Sequence, residues 1–139
     1  MIILDTNVLS ALMTPALNPE PLIWLDKQPQ SSIWTTAVNI FESRSGIRLL
    51  PIGKRRQRLE AALDELIANI LTDRILPFDR DAAEAAATIA GRRVSRGNNV
   101  GARDTQIAGV AVSRGATIAT RNLKDFNDLQ IELVNPWQS

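Results

Sequence analysis

Four acidic residues, Asp5, Glu42, Asp104 and Asp125, fall at points where a folded chain could bring them together. Asp5 closes the apolar run Met1-Ile2-Ile3-Leu4 and is followed directly by Thr6-Asn7. That run reads as a short buried strand, and a carboxylate just past the C-terminal end of such a strand lies where open parallel sheets keep their sites. Asp104 falls in the first turn of a predicted helix, and Asn122 and Asp125 follow a predicted strand that ends at Thr120. Glu42 lies about a turn and a half into its helix, so its longer side chain must reach back toward the same edge.

Each acid also has a structural alternative. Asp5 could cap the helix beginning near Thr6, Asp104 could complement a helix dipole, Glu42 could face solvent and Asp125 could serve a turn. Taken together they point further. Carboxylates held within a few ångströms of one another repel, so their pKa values rise and the fold is penalised unless a cation lies among them. Ligands that are all oxygen select Mg²⁺ or Mn²⁺, and Mg²⁺ keeps several waters, which leaves room for a phosphate oxygen and an attacking water. The chemistry implied is metal-assisted hydrolysis of a phosphodiester.

Composition narrows the choice. With no cysteine and no histidine, the chain has no disulfide, thiol nucleophile, thiolate zinc site or imidazole base. An apolar content of 45% with 22% charged residues describes an ordinary globular protein, and with only 4% aromatic residues its core must be aliphatic. A length of 139 residues is that of a single domain, expected to span 1–139. No apolar stretch approaches the roughly 20 residues that span a bilayer, and no basic leader precedes the first strand, so the expectation is a cytoplasmic protein without membrane association. The net charge of +1 exerts no global pull on nucleic acid. Two local basic clusters remain: Lys54-Arg55-Arg56 with Arg58, and Arg92, Arg93, Arg96 and Arg103 around Gly97-Asn98-Asn99. Each reads either as a phosphate contact or as solvated helix ends and loop charges.

The elements that must position the acids are short. Residues 2 to 4, 32 to 35, 74 to 77, 117 to 120 and 131 to 134 read as strands. Residues 55 to 71 carry Leu59, Leu63, Leu66, Ile67 and Ile70 at helical spacing. Further helices are predicted over 37 to 48 with Thr36 as cap, over 79 to 95 from Asp79 with an alanine-rich face, and over 102 to 113 ending at Gly115. Residues 14 to 21, with Pro15, Pro19 and Pro21, read as a turn region. Strands alternating with helices imply right-handed crossovers, hence an α/β fold: a three-layer α/β/α sandwich around a parallel sheet.

Four segments in order along essentially the whole chain carry a family resemblance: Ile3-Leu4-Asp5-Thr6-Asn7, the Glu42 helix, Arg103-Asp104-Thr105-Gln106-Ile107-Ala108, and Thr120-Arg121-Asn122-Leu123-Lys124-Asp125-Phe126. Together they resemble the PIN domain, and more narrowly the VapC toxins of type II toxin-antitoxin pairs in their FitB-like branch, whose ending is echoed by Val134-Asn135-Pro136-Trp137. The resemblance implies a PIN-like parallel sheet and a Mg²⁺-dependent endoribonuclease, Mn²⁺ being an alternative ion, with a catalytic set at Asp5, Glu42, Asp104 and Asn122. The metal would be held by Asp5 and Asp104. The fourth position is often Asp in the family, so Asn122 is a departure that lowers the charge of the site and shifts ligand duty toward Asp125. Thr6, Asn7 and Thr120 would hold a carboxylate or its water, and Arg121 and Lys124 would meet substrate phosphates, while Arg103 would either do so or temper the acids. The resemblance further implies a VapB-like antitoxin whose Arg enters the acidic groove, RNA as substrate, operator DNA contacted only through the antitoxin, and a homodimer or larger assembly.

Two other readings compete. An Asp-nucleophile phosphatase of the haloacid-dehalogenase kind needs a second Asp two positions after Asp5, where this chain has Asn7, and a receiver-like phosphoacceptor needs acids beside Asp5. A non-catalytic PIN-like module, acting through complex formation with antitoxin and operator DNA, accommodates the missing fourth acid.

Overall fold

Strand β1 (Ile2–Leu4) is the centre of the molecule. In the computed structural model, which describes residues 1–98 and 101–138, it pairs in parallel with β2 (Ile33–Thr36) on one side and β4 (Thr117–Ala119) on the other. Beyond them lie β3 (Ile75–Leu76) and β5 (Leu133–Val134), giving a five-stranded parallel sheet in the order β3-β2-β1-β4-β5. The chain runs outward from β1 to β3, then returns to the far side of β1 to lay down β4 and β5. The reversal places a topological switch point between the C-terminal ends of β1 and β4, where such sheets open a crevice.

Both faces of the sheet are covered, which explains why successive strand residues are buried rather than alternately buried and exposed. Side chains alternate between faces: Ile3, Trp34, Ile118 and Leu133 point into one core, and Leu4, Ile33, Ala119 and Val134 into the other. The first core is closed by α5 (Arg80–Ser95) and α6 (Ala102–Arg114) through Ile89, Ile107 and Val110. The second is closed by α1 (Thr6–Met13), α2 (Pro19–Asp26) and α4 (Lys54–Glu65) through Val8, Leu9, Leu25 and Leu63. Helix α3 (Ala37–Arg48) gives Val38 to the first core and Ile47 to the second. The expected three-layer α/β/α sandwich is the observed one.

Local chemistry accounts for the helix ends. The Asp79 carboxylate accepts from Ala82 N at 3.0 Å and caps α5, and Gly115, at φ 61°, ends α6 in the left-handed conformation glycine permits. The alanine face of α5 packs on Gly109 of α6, where an added Cβ would stand 2.5 Å from Ala82 O and 2.6 Å from Ala86 Cβ. The helix expected over 55 to 71 is α4 continued by a π-helical turn, Leu66–Leu71. The region 14 to 21 is a turn only in its first part, because α2 starts at Pro19. Both Pro19 and Pro21 lie in the first turn of α2, whose N–H groups have no intrahelical partner to lose. Asn99, in the expected basic-flanked loop, lies outside the described residues. Among the described residues no helix is long and apolar enough to cross a membrane.

Candidate active site

Asp5 stands at the switch point. Its backbone N–H continues the β1–β4 ladder by donating to Ala119 O at 2.9 Å, and its carboxylate caps α1 by accepting from Thr6 N at 2.8 Å. The capping role foreseen as an alternative is therefore real. It uses only part of the carboxylate: Oδ1 also accepts from Asn39 Nδ2 at 3.2 Å, and Oδ2 accepts from the Thr120 hydroxyl at 2.8 Å. A carboxylate offers about four lone-pair directions, so these three bonds leave one on Oδ2. With the residue only 5% exposed, burial pushes the Asp5 carboxyl above its ordinary range, Glu42 adds to the rise, and the three hydrogen bonds oppose it.

Two hydroxyls and an amide tie the surrounding elements together. Thr6 Oγ1 donates to Glu42 Oε1 at 2.9 Å, so the middle of α3 is held against the start of α1. Thr120 Oγ1, besides serving Asp5, accepts from Asn7 Nδ2 at 3.2 Å and from the backbone N–H of Asn122 at 3.0 Å. Asn7 Oδ1 in turn accepts from Arg121 N at 3.2 Å, closing a link between α1 and the segment after β4. Asn39 is the member that sequence reasoning missed. Wholly buried, it donates to Asp5 Oδ1 and to Thr6 Oγ1, and it accepts from Thr36 Oγ1 at 2.6 Å. The detectable signal was the Thr36-x-x-Asn39 spacing of a helix cap, which placed Thr36 correctly but not the amide turned inward.

Asp104, in the first turn of α6, completes the acidic group. Its pKa is pushed up to about 6, first by burial and then by the charges of Asp5, Asp125 and Glu42, with Arg93 opposing. Four acids from four segments thus share one electrostatic environment. Arg103 Nη1 stands 3.8 Å from Glu42 Oε2 and its guanidinium carbon lies 4.8 Å from the centre of the Phe41 ring, so this arginine lies at the edge of the cluster. Arg121 and Lys124 are exposed, Arg121 with its guanidinium 4.9 Å from the centre of the Trp137 ring.

Two residues depart from their expected surroundings. Asn122 joins the network through its backbone alone, and its side chain is exposed at the start of the turn Leu123–Asp125. Arg93, grouped from sequence with a basic cluster open to phosphate, is only 2% exposed. It grips Asp128 with two bonds of 2.9 and 3.0 Å, donates to the Thr105 hydroxyl at 2.9 Å and donates to Asp125 O at 2.8 Å. A guanidinium with so many acceptors from the loop after β4 is drawn into the interior rather than left in water. It anchors Thr105, next to Asp104, and Asp125 to one point.

Among the described residues no three acidic side chains stand close enough to hold a metal ion together. The donor set nevertheless fits Mg²⁺ or Mn²⁺, because Mg²⁺ is usually bound by one or two carboxylates and otherwise by water. Asp5, with one lone pair left open, and Asp104, which feels its charge, are the carboxylates that could serve this way. Two open concavities of about 550 and 600 Å³ lie beside α5 and α4 and are lined by none of these four acids.

Comparison with known proteins identifies the family and the fold. The PIN domain family model matches residues 2–131. The chain is 34% identical over 138 residues to the VapC ribonuclease Y4jK of Sinorhizobium fredii, covering 99% of both, and 34% identical over 137 residues to the toxin FitB of Neisseria gonorrhoeae, again covering 99% of both. Its fold superposes on the structure of FitAB bound to an IR36 DNA fragment with a TM-score of 0.88 at 33% identity, covering 100% of this chain and 97% of that one.

Proposed function

The chain belongs to the PIN-domain family, among the VapC and FitB proteins, and from that premise we propose that it is the toxin of a type II toxin-antitoxin pair. In this reading it is one domain over residues 1–139 that cuts RNA as a Mg²⁺- or Mn²⁺-dependent endoribonuclease. The observation that carries the proposal is the gathering of acids at the switch point, where Thr120 and Asn39 hold Asp5, Thr6 ties Glu42 to the same place, and the charges of Asp5, Asp125 and Glu42 are felt at Asp104. A purely structural acid at a helix start gains from the dipole and has no need of three like charges around it. Such crowding is what a cation site requires.

Asp5 and Asp104 are the residues that would hold the ion. Bound there, it supplies a water of lowered pKa and neutralises charge developing on the scissile phosphate. The rest of the work falls to the chain. Thr120, Asn39 and the Thr6 N–H fix Asp5 in one rotamer, and Thr6 Oγ1 holds Glu42 Oε1. Glu42 Oε2, restrained only by Arg103 at 3.8 Å, is then the oxygen available to take a proton from the attacking water. Asp125 supplies the fourth negative charge, since it acts on Asp104 whereas the Asn122 amide is exposed. Arg121 and Lys124 meet the phosphates on either side.

The relatives support the partners. FitAB is a two-component assembly bound to DNA, so we infer a VapB-like antitoxin for this chain, operator DNA bound only through it, and a dimeric toxin. Purified protein is expected to cleave a structured RNA with Mg²⁺ or Mn²⁺ and to lose that cleavage in EDTA and in Asp5→Asn. Equal cleavage by wild type and Asp5→Asn would mark a contaminating nuclease and leave the non-catalytic module as the better account.

A further inference from the structure

Phe41 is out of place for a chain so poor in aromatic residues. The sequence has three Phe, three Trp and no Tyr. Helix α3 buries Val38, Asn39, Ser43 and Ile47 and turns Phe41 outward, 56% exposed, immediately before Glu42. The ring is not bare: the Arg103 guanidinium lies across it at 4.8 Å while Nη1 of the same group stands 3.8 Å from Glu42 Oε2. Ring, guanidinium and acid therefore form one row at the rim of the site.

We propose that Phe41, with Arg103 across its ring, is a stacking site that positions an unpaired nucleobase next to the scissile phosphate, an inference that rests on the ribonuclease reading above. The physical need is plain. A phosphate chain approaching four carboxylates is repelled, and a net charge of +1 gives no long-range compensation. Beside the cation and the contacts of Arg121 and Lys124 with phosphate, a contact that does not depend on charge adds to the hold, and base stacking on an aromatic face is a strong one for a single strand. A duplex keeps its bases stacked on one another and cannot offer one to the ring. Arg103 suits the same task, because its ion pair is long and its side chain 51% exposed. It can leave Glu42 for a phosphate or stack on the second face of the base at little cost. Arg121 over Trp137, directly after Thr120, repeats the pairing.

The test uses the intact protein, a short labelled oligoribonucleotide of mixed sequence, and the same strand closed in a duplex. Affinity is read by fluorescence anisotropy with Ca²⁺, and cleavage separately with Mn²⁺. Phe41→Leu keeps the apolar area without the π-face, and, being at an exposed position, leaves the core intact. It is expected to weaken single-strand binding by at least about fivefold and to raise KM with kcat nearly unchanged, while duplex binding does not move. Phe41→Trp retains the wild-type affinity. Single-strand binding by Phe41→Leu equal to wild type overturns the inference, and a loss confined to the antitoxin complex would assign the ring to a protein interface instead. Wild type that cuts RNA without dependence on Phe41 removes only this inference. Phe41-dependent binding without cleavage keeps the stacking site and removes the nuclease reading.

Discussion

Replacing Asp104 by asparagine should make the metal-free protein more stable while destroying its affinity for metal. The side chain keeps its size and loses its charge. In the folded chain the Asp104 carboxyl titrates near 6 against 3.8 for the ordinary group, with burial the first cause and the charges of Asp5, Asp125 and Glu42 the next. A raised carboxyl pKa means that the folded state binds more protons than the unfolded state between those two values. Stability from this group is therefore undiminished below pH 3.8, falls as pH rises through the window, and is lowest above about 6. At about 1.4 kcal/mol per unit the loss has a ceiling near 3 kcal/mol. Water reaches the half-buried group and screens it, which brings the expected gain for Asp104→Asn at pH 8 to about 1–2 kcal/mol. For a chain of this size that is a rise in Tm of roughly 3–8 °C.

Thermal unfolding of both proteins in EDTA at pH 8 and again at pH 4.5 reads this directly. The variant should melt higher at pH 8 and the difference should shrink at pH 4.5, where wild-type Asp104 is already mostly protonated. Saturating Mn²⁺ should reverse the order at pH 8, since a ligand at 100 times its Kd stabilises by about 2.7 kcal/mol and the variant has lost a ligand. Asp104→Asn melting at or below wild type at pH 8 without metal would refute the reasoning. An equal gap at both pH values would show that packing, not charge, sets the difference.

Two further outcomes follow from the packing. Gly109→Ala places a Cβ 2.5 Å from Ala82 O and 2.6 Å from Ala86 Cβ, so α5 and α6 must part, at a cost of about 1–3 kcal/mol; urea unfolding midpoints measure it, and an unchanged midpoint would mean that the helices separate freely. Arg93→Met leaves the Asp128 carboxylate without the guanidinium that holds its pKa below the usual range, and because that carboxylate stays open to water the loss of these charged hydrogen bonds costs about 1.5–3 kcal/mol. Because the Asp128 pKa is depressed in the fold, that stability is present above pH 3.8 and is lost as pH falls further. The gap between Arg93→Met and wild type should accordingly narrow in acid denaturation below that pH.

Much of the framework was legible in the sequence because it rests on local rules. Apolar runs too short for helices marked the strands, the stripe from Leu59 to Ile70 marked a helix, and Asp79 and Gly115 marked helix ends through capping chemistry. The α2 helix was missed because proline suggests a turn, and only its position in the first helical turn makes it harmless. Asp5 and Asp125 stood out by lying at or after strand ends, Asp104 by its place in the first turn of a helix, and Glu42 by a helix that follows a strand. What they share could not be read so, since no local rule says that Thr6 bridges Asp5's helix to Glu42.

The sequence by itself narrowed the chemistry open to this protein: with no histidine and no cysteine, carboxylates, a hard cation, hydroxyls and lysines remain. It also determined the alternation of strands and helices, because hydrophobic periodicity and capping act within a few residues. The tertiary structure alone decided which polar groups are buried and what they face. Asn39 and Arg93 look like solvent residues in a linear reading, yet each is interior and fully engaged, because a buried donor is tolerated wherever distant segments converge to supply acceptors. The same convergence separates Asn122, left exposed, from Asp125, whose charge is felt at Asp104. Such choices depend on contacts and charges between segments from about a dozen to more than thirty residues apart, which no local pattern encodes.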